Sequence, residues 1–441
     1  MTVRIKEKER AAILSSLGAG VVPAQGLHHI QVGRKDEVEA ILSDLKRVEE
    51  CGAAVRFIVG RFGSGKSFFL NLVHTVALER RFVVAKADIT TDRRLTGSNG
   101  VARALYSELA KNIATRSRAD GGALSSIVER WVADLAHEVK SGGGTDEDVH
   151  TGIAEALRPL QDYVSGYDFA HVLSEYYRGY LEHNTELQDA AVRWLRGEYS
   201  TKTEARQDLG VRSIIDDDSF YDYLKLLAAF VRLAGYRGLL VSLDELVVLS
   251  HRLNNRTSRD RNYEAILRIL NDCLQGNVEG LMVLFAATDD CLADPRRGLY
   301  SYEALATRLA ENRFATGDLV DLSGPVIKLQ NLSPEDCYVL LTNIRRVFAK
   351  GQDGQDLLPD EGIVKYLASC HERMGAAYFQ TPRETIKDFV GLLNVLEQNP
   401  GTDWGALIGE LKTQAGAEDL GPDLDHEGPS DGDDDLASFR I

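Results

Sequence analysis

The octapeptide Gly60-Arg61-Phe62-Gly63-Ser64-Gly65-Lys66-Ser67 fits the pattern GxxxxGK[ST] in full. Glycines there leave several backbone N–H groups free to turn toward one phosphate, and a helix starting behind them adds its positive end. Such a loop binds ATP: Lys66 is expected to hold the β- and γ-phosphates, and the Ser67 hydroxyl to ligate Mg²⁺. Gly60, Arg61, Phe62, Gly63, Ser64 and Gly65 would supply the cradle.

A second chemical element lies far along the chain. Leu239-Leu240-Val241-Ser242-Leu243-Asp244-Glu245 is an apolar run ending in two carboxylates. Asp244 is expected to orient the water around Mg²⁺, and Glu245 to polarise an attacking water, which suits hydrolysis better than transfer to a bound acceptor. Thr288, at the end of Leu281–Ala287, can hold the lytic water or simply cap a turn. Arg308 and Arg313 are candidate arginine fingers, and Arg383 could reach the γ-phosphate from a lid.

These groups need a scaffold. Ala54–Val59 reads as a strand running into the glycine loop, Lys66 to Glu79 as an amphipathic helix burying Phe69, Leu70, Val73 and Ala77, and Phe82–Asp88 as the next strand. Strand, loop, helix, strand predicts a βαβ unit and a parallel sheet covered by helices. Strand signals vanish from about residue 100 to 235, where the apolar spacing is helical; this predicts an insertion broken at Ser141–Asp148 and Asp216–Ser219. Strands resume at 239–243 and 281–287, with 326–329 closing the sheet and a helix over Tyr263–Gln275. Ser333-Pro334-Glu335-Asp336 is a helix start, and the helical pattern continues to about residue 414. The expected division is therefore 1–99 and 236–330 as the two parts of an ATPase core, 100–235 as the insertion, 331–414 as a helical lid and 415–441 as a disordered acidic tail.

Composition sets limits on function. The chain has 441 residues and a formal charge of −16, which argues against a protein coating nucleic acid with its whole surface. About half of that charge belongs to residues 417–441, where nine acids face one base, Arg440. Five scattered cysteines show no redox or metal-knuckle spacing, and His28-His29 is the only close pair of histidines, so no metal beyond Mg²⁺ is expected. Neither a signal peptide nor an apolar run of about 18–20 residues is evident, so the expected location is cytoplasmic, with no membrane contact. Ala85-Lys86-Ala87-Asp88 resembles a guanine-reading NKxD motif but lacks the Asn and lies on a strand, so GTP specificity has no support.

These pieces, in this order, resemble an AAA+-type ATPase of the origin-recognition kind. The resemblance implies that Val32-Gly33-Arg34 closes over adenine with Ile30 and Val32 as apolar contacts, and that an arginine finger comes from a neighbouring subunit. Two departures stand out: about 180 residues separate Lys66 from Asp244, and no winged helix follows the lid. Thr91-Asp92-Arg93-Arg94-Leu95, Arg196-Gly197-Glu198, Thr203–Val211 and Asp294–Leu305 narrow the resemblance. They look like the ATP-binding proteins of BREX bacteriophage-defence systems, BrxD-like and more distantly BrxC-like, over about residues 5–400. That similarity implies an oligomeric antiviral ATPase working with other defence proteins, often a helicase, on DNA.

Two further features bear on partners. His251–Arg261 contains Arg252, Arg256, Arg259 and Arg261 against one acid, and a loop there could contact DNA phosphates. Arg193, Arg196, Lys202, Arg206 and Arg212 form a second basic set, in the insertion. In the tail, Leu436, Phe439 and Ile441 follow an acidic lead, a pattern suited to docking into a basic groove with an apolar floor. Two functions are therefore open: a DNA-acting motor or loader, and a nucleotide-dependent switch or scaffold that recruits effectors. A P-loop kinase fits poorly, because Asp244-Glu245 suits water activation.

Overall fold

Strands that are apolar on both faces need cover on both faces. A computed structural model supplies it, describing residues 5–23, 25–163, 166–315, 321–350, 357–374 and 382–409. The first part of the chain forms α1 (Glu7–Gly18), α2 (Lys35–Glu49), β1 (Ala53–Val59), α3 (Lys66–Glu79) and β2 (Val83–Asp88). Helices α4 (Val101–Lys111), α5 (Leu124–Ser141), α6 (Asp146–Ala156), α7 (Gly166–Leu181), α8 (Thr185–Leu195), α9 (Lys202–Leu209) and α10 (Phe220–Leu233) make up the insertion. The core resumes with β3 (Leu239–Asp244), α11 (Arg256–Gln275), β4 (Leu281–Ala287), α12 (Asp289–Ala293), α13 (Glu303–Leu309) and β5 (Val326–Lys328). The last described helices are α14 (Pro334–Phe348), α15 (Asp360–Met374) and α16 (Pro382–Gln398), followed by a helical turn at 404–409.

Among the described residues the five strands pair in parallel, in the order β2-β3-β4-β1-β5, with an isolated antiparallel bridge from Val84 to Ala114. The strand leading into the glycine loop, β1, is thus separated by β4 from β3, which carries Asp244. Their C-terminal ends point the same way, so residues 60–67, 244–245 and 288 come to one edge although 228 positions separate the first from the last. Ligands of open α/β sheets bind outside that edge.

Alternation along the strands assigns the two layers. Val55, Phe57, Val83, Ala85, Leu239, Val241, Val283 and Phe285 share one core with the insertion and α11. Ala54, Ile58, Val84, Leu240, Met282 and Leu284 share another with α2 and α3. The expected helix over Lys66–Glu79 has those bounds, with Phe69, Leu70, Val73 and Ala77 buried. Ser333 and Asp336 cap α14 reciprocally with Pro334 in its first turn.

Three details differ from expectation. The helix expected at Tyr263 begins at Arg256, because the Asn255 side chain accepts from Ser258 N and caps it there. Residues 248–252 are a π-helical turn, so the arginine-rich stretch is mostly helical, not a loop. Helix α1 does not pack with the sheet: Ile13 and Leu17 are buried in a separate core with Leu341 and Ile344 of α14 and Phe389 and Leu393 of α16. Arg10 reinforces that contact, donating to Phe348 O at 3.0 Å and lying over its ring. The tail with Leu436, Phe439 and Ile441 lies outside the described residues.

Candidate active site

The sheet edge opens into a cavity of about 520 Å³, a size that suits a small ligand. One end is the glycine loop. Gly65 sits at φ 91° as the residue before α3, and a Cβ on Gly60 would come within 2.6 Å of Ser64 Oγ. That oxygen is buried and has no hydrogen-bond partner, a polar atom with capacity to spare in a loop built for phosphate. Lys66 Nζ donates to Gly60 O (2.8 Å) and Arg61 O (2.9 Å), which holds the ammonium within the loop.

Ser67 and Asp244, 177 residues apart, meet with Ser67 Oγ 3.5 Å from Asp244 Oδ2. Hydroxyl and carboxylate oxygens are the donor set that Mg²⁺ takes, so the residues present fit such an ion. Glu245 has a left-handed backbone (φ 59°), uncommon for a residue with a side chain. Its N–H donates to Asp244 Oδ1 at 2.8 Å, and its side chain lines the cavity.

The charges perturb one another. Burial pushes the Lys66 ammonium below its ordinary value, with Asp244, Glu245 and Asp289 opposing. Burial pushes Asp244 up, and so does Asp88, while the Glu245 N–H and Lys66 pull it down. Glu245 is raised by burial, then by Asp244 and Asp88. A carboxylate raised in this way is a stronger proton acceptor, which suits a general base.

The other expected residues divide. Thr288 lines the cavity, and its side chain also caps α12, accepting from Cys291 N at 3.2 Å. Arg383 lines the cavity from the first turn of α16, its guanidinium over the Phe62 ring. Ile30 and Val32 line the far end. Arg308 is exposed on α13 and Arg313 is exposed beyond it; neither is on the cavity wall.

Of the arginines considered for DNA, Arg252 is on the cavity wall. Arg256 is exposed and pairs with Asp260 at 3.6 Å. Arg261 lines a separate cleft with Tyr221 and Arg268. Arg259 corrects the expectation: it is buried, and its Nη1 donates to Leu253 O (2.8 Å) and Asn254 O (3.1 Å), closing the turn before α11. In the insertion, Arg193 is paired with Glu204 at 2.9 Å and Asp208 at 3.7 Å.

Sequence reasoning missed most of the apolar end. Leu17, Val21 and Pro23 from the α1 end line it together with Leu340 and Ile344 of α14 and Ile386 of α16. Gly20, at φ 71°, reverses the chain after α1, with Val21 N bonded back to Ser16 O, and so delivers Val21 to the wall. Arg34 ties this end to the loop, donating to Ser64 O at 3.4 Å and also to Gln330 O. One cavity therefore joins an apolar end to a cationic, N–H-rich end, the two chemistries of a nucleoside triphosphate.

Among the described residues, no helix is long and apolar enough to cross a membrane. No curated protein matches the chain. The family model described as BREX system ATP-binding protein BrxC/D matches residues 5–412, and the chain, with its five-stranded parallel sheet and nucleotide-shaped cavity, belongs to that family of phage-defence ATP-binding proteins.

Proposed function

We propose that this protein hydrolyses ATP as an AAA+-type machine, assembles with copies of itself, and acts on DNA with another defence protein such as a helicase. The observation that carries the hydrolytic part is the convergence of Lys66, Ser67, Asp244, Glu245 and Arg383 on one cavity. Apolar residues Ile30 and Val32 hold the base, and the loop N–H groups and Lys66 hold the phosphates. Ser67 and Asp244 would hold Mg²⁺, which supplies charge neutralisation at the phosphates. Glu245 takes the proton of the attacking water on its carboxylate, and Thr288 lies where it can position that water. Arg383 stabilises charge on the transferring phosphoryl group from the lid. Arg308 or Arg313, both exposed, would serve the cavity of a neighbouring copy.

A second reading has its own support. Arg259 is internal and Arg193 is neutralised by two acids, so less basic surface is free than the sequence suggested. This favours a nucleotide-dependent switch that recruits effectors, with the acidic tail as one docking segment.

ATP binding and turnover, measured with and without duplex and single-stranded DNA, test both readings. Lys66→Ala should lose ATP binding, and Glu245→Gln should bind ATP but hydrolyse it slowly. Strong stimulation by DNA supports the machine; ATP-dependent assembly without stimulation supports the switch. Wild-type turnover in Glu245→Gln refutes the base.

A further inference from the structure

The face of β2 and β3 toward α3 begins apolar, with Val84 and Leu240, and then turns polar at Lys86, Asp88, Ser242 and Asp244. Helix α3 answers with Ser67, Asn71 and His74, which lie along one stripe at helical spacing. Between them is a second cavity, of about 270 Å³, that shares Ser67 and Asp244 with the first. Its outer side is closed by the Arg93–Glu108 ion pair at 3.0 Å and by Asn112, which donates to Lys86 O at 3.0 Å. Along this stripe Ser67, Lys86 and Asp88 are exposed to solvent, whereas Ser242 and His74 are buried behind them.

Two observations identify the ligand class. Asp88 is paired with Asp244 in the parallel register, which puts both carboxylates on the same side of the sheet edge. Asp88, Asp244 and Ser67 line this cavity together, with Lys86 and the Glu108-paired Arg93 as its cations, and the three oxygen-bearing groups are the donor set that a hydrated divalent ion takes. Separately, His74 lines the cavity and is only 8% exposed, and its Nε2 is buried with no hydrogen-bond partner. Among the described residues, no group of three or more His, Cys, Asp or Glu could cage a metal alone. Mg²⁺ does not need one, since it keeps several waters and takes one or two carboxylates besides substrate phosphates.

We propose that Asp88 and His74 complete the divalent-cation site from the side away from the nucleotide, Asp88 orienting the water shell of the ion and His74 Nε2 hydrogen-bonding to water behind it. Both are positioning residues, and the inference rests on Ser67 and Asp244 being the groups nearest the ion. Outer-shell partners of this kind are worth about 10–100-fold in metal affinity.

The test is Mn²⁺ binding by electron paramagnetic resonance, on the full chain saturated with a non-hydrolysable ATP analogue. Asp88→Asn should weaken Mn²⁺ by about 10-fold or more, while metal-free affinity for the analogue, measured in EDTA, stays within about 2-fold. His74→Phe should weaken Mn²⁺ severalfold, and His74→Gln should restore part of the loss. Circular dichroism checks folding, and Asp88→Ser stands in if Asp88→Asn does not fold. Wild-type Mn²⁺ affinity in Asp88→Asn, with a loss in Asp244→Asn, overturns this inference and leaves the primary site intact. Wild-type affinity in Asp244→Asn and Ser67→Ala as well overturns the primary site. A loss in Asp88→Asn with none in His74→Phe removes His74 from the proposal.

Discussion

The guanidinium of Arg383 lies 5.5 Å from the ring centroid of Phe62, so α16 rests on the glycine loop through an aromatic side chain that is 70% exposed. Arg383→Ala should slow single-turnover hydrolysis by about 10³-fold, the scale of a lost arginine finger, with ATP affinity within a few-fold of wild type. Phe62→Ala removes only the stacking contact, worth about 0.5–1 kcal/mol, and should raise KM about 2–5-fold. An unchanged single-turnover rate in Arg383→Ala would leave this arginine a packing role alone.

The raised carboxyl of Glu245 gives a pH prediction with a definite sign. A base works when deprotonated, so turnover should be full above its pKa and fall as pH drops through it. Because burial, Asp244 and Asp88 push that pKa up, the acid limb should lie above the ordinary glutamate value of about 4.3. Single-turnover rates across pH in wild type would locate the limb, and the residual rate of Glu245→Gln should lack it.

A stability prediction concerns β1. Arg56, in the middle of this strand, is buried and reaches Asp44 of α2 at 2.5 Å, with Nη1 donating to Leu322 O and Gly324 O. Removing one partner leaves an uncompensated buried charge, so Asp44→Ala should cost about 3–5 kcal/mol. Replacing both by apolar residues of similar volume should recover much of it. Urea unfolding of the two variants makes the comparison.

Arg256 and Arg259, three residues apart, should behave oppositely. Arg256→Ala should leave the thermal midpoint within about 1 °C, since exposed pairs contribute little, and should weaken DNA binding if this face meets phosphates. Arg259→Ala frees two carbonyls at a buried turn and should lower the midpoint by several degrees. DNA affinity measured for Arg256→Ala alone is therefore the cleaner test of this surface.

What was legible in the sequence was local. Gly60–Ser67, the helix behind it and the carboxylates at 244–245 each carry their signal within a short window, so loop, helix and strand end could be placed directly. The apolar end of the cavity was not legible, because Leu17, Val21, Leu340 and Ile386 have no special spacing and read as ordinary core until two distant segments fold together. Arg259 was misread for a similar reason: its partners are backbone carbonyls, which no residue type announces. Asp88 carries no signal of its own in the sequence, where it ends a strand in an incomplete guanine motif; its pairing with Asp244 depends on strand order.

The burial of α1 among α14 and α16 means that these three helices, far apart in the chain, form one packed body. That body reaches the sheet along two tethers, residues 19–23 with 25–34 and residues 329–333, and also directly, since Phe68 of α3 packs against it. Val21, Ile30 and Val32 sit on the first tether and Leu332 on the second, all on the cavity wall. A base wedged between them would press on the joint between that body and the sheet, and a fluorophore at the amino terminus should sense its arrival.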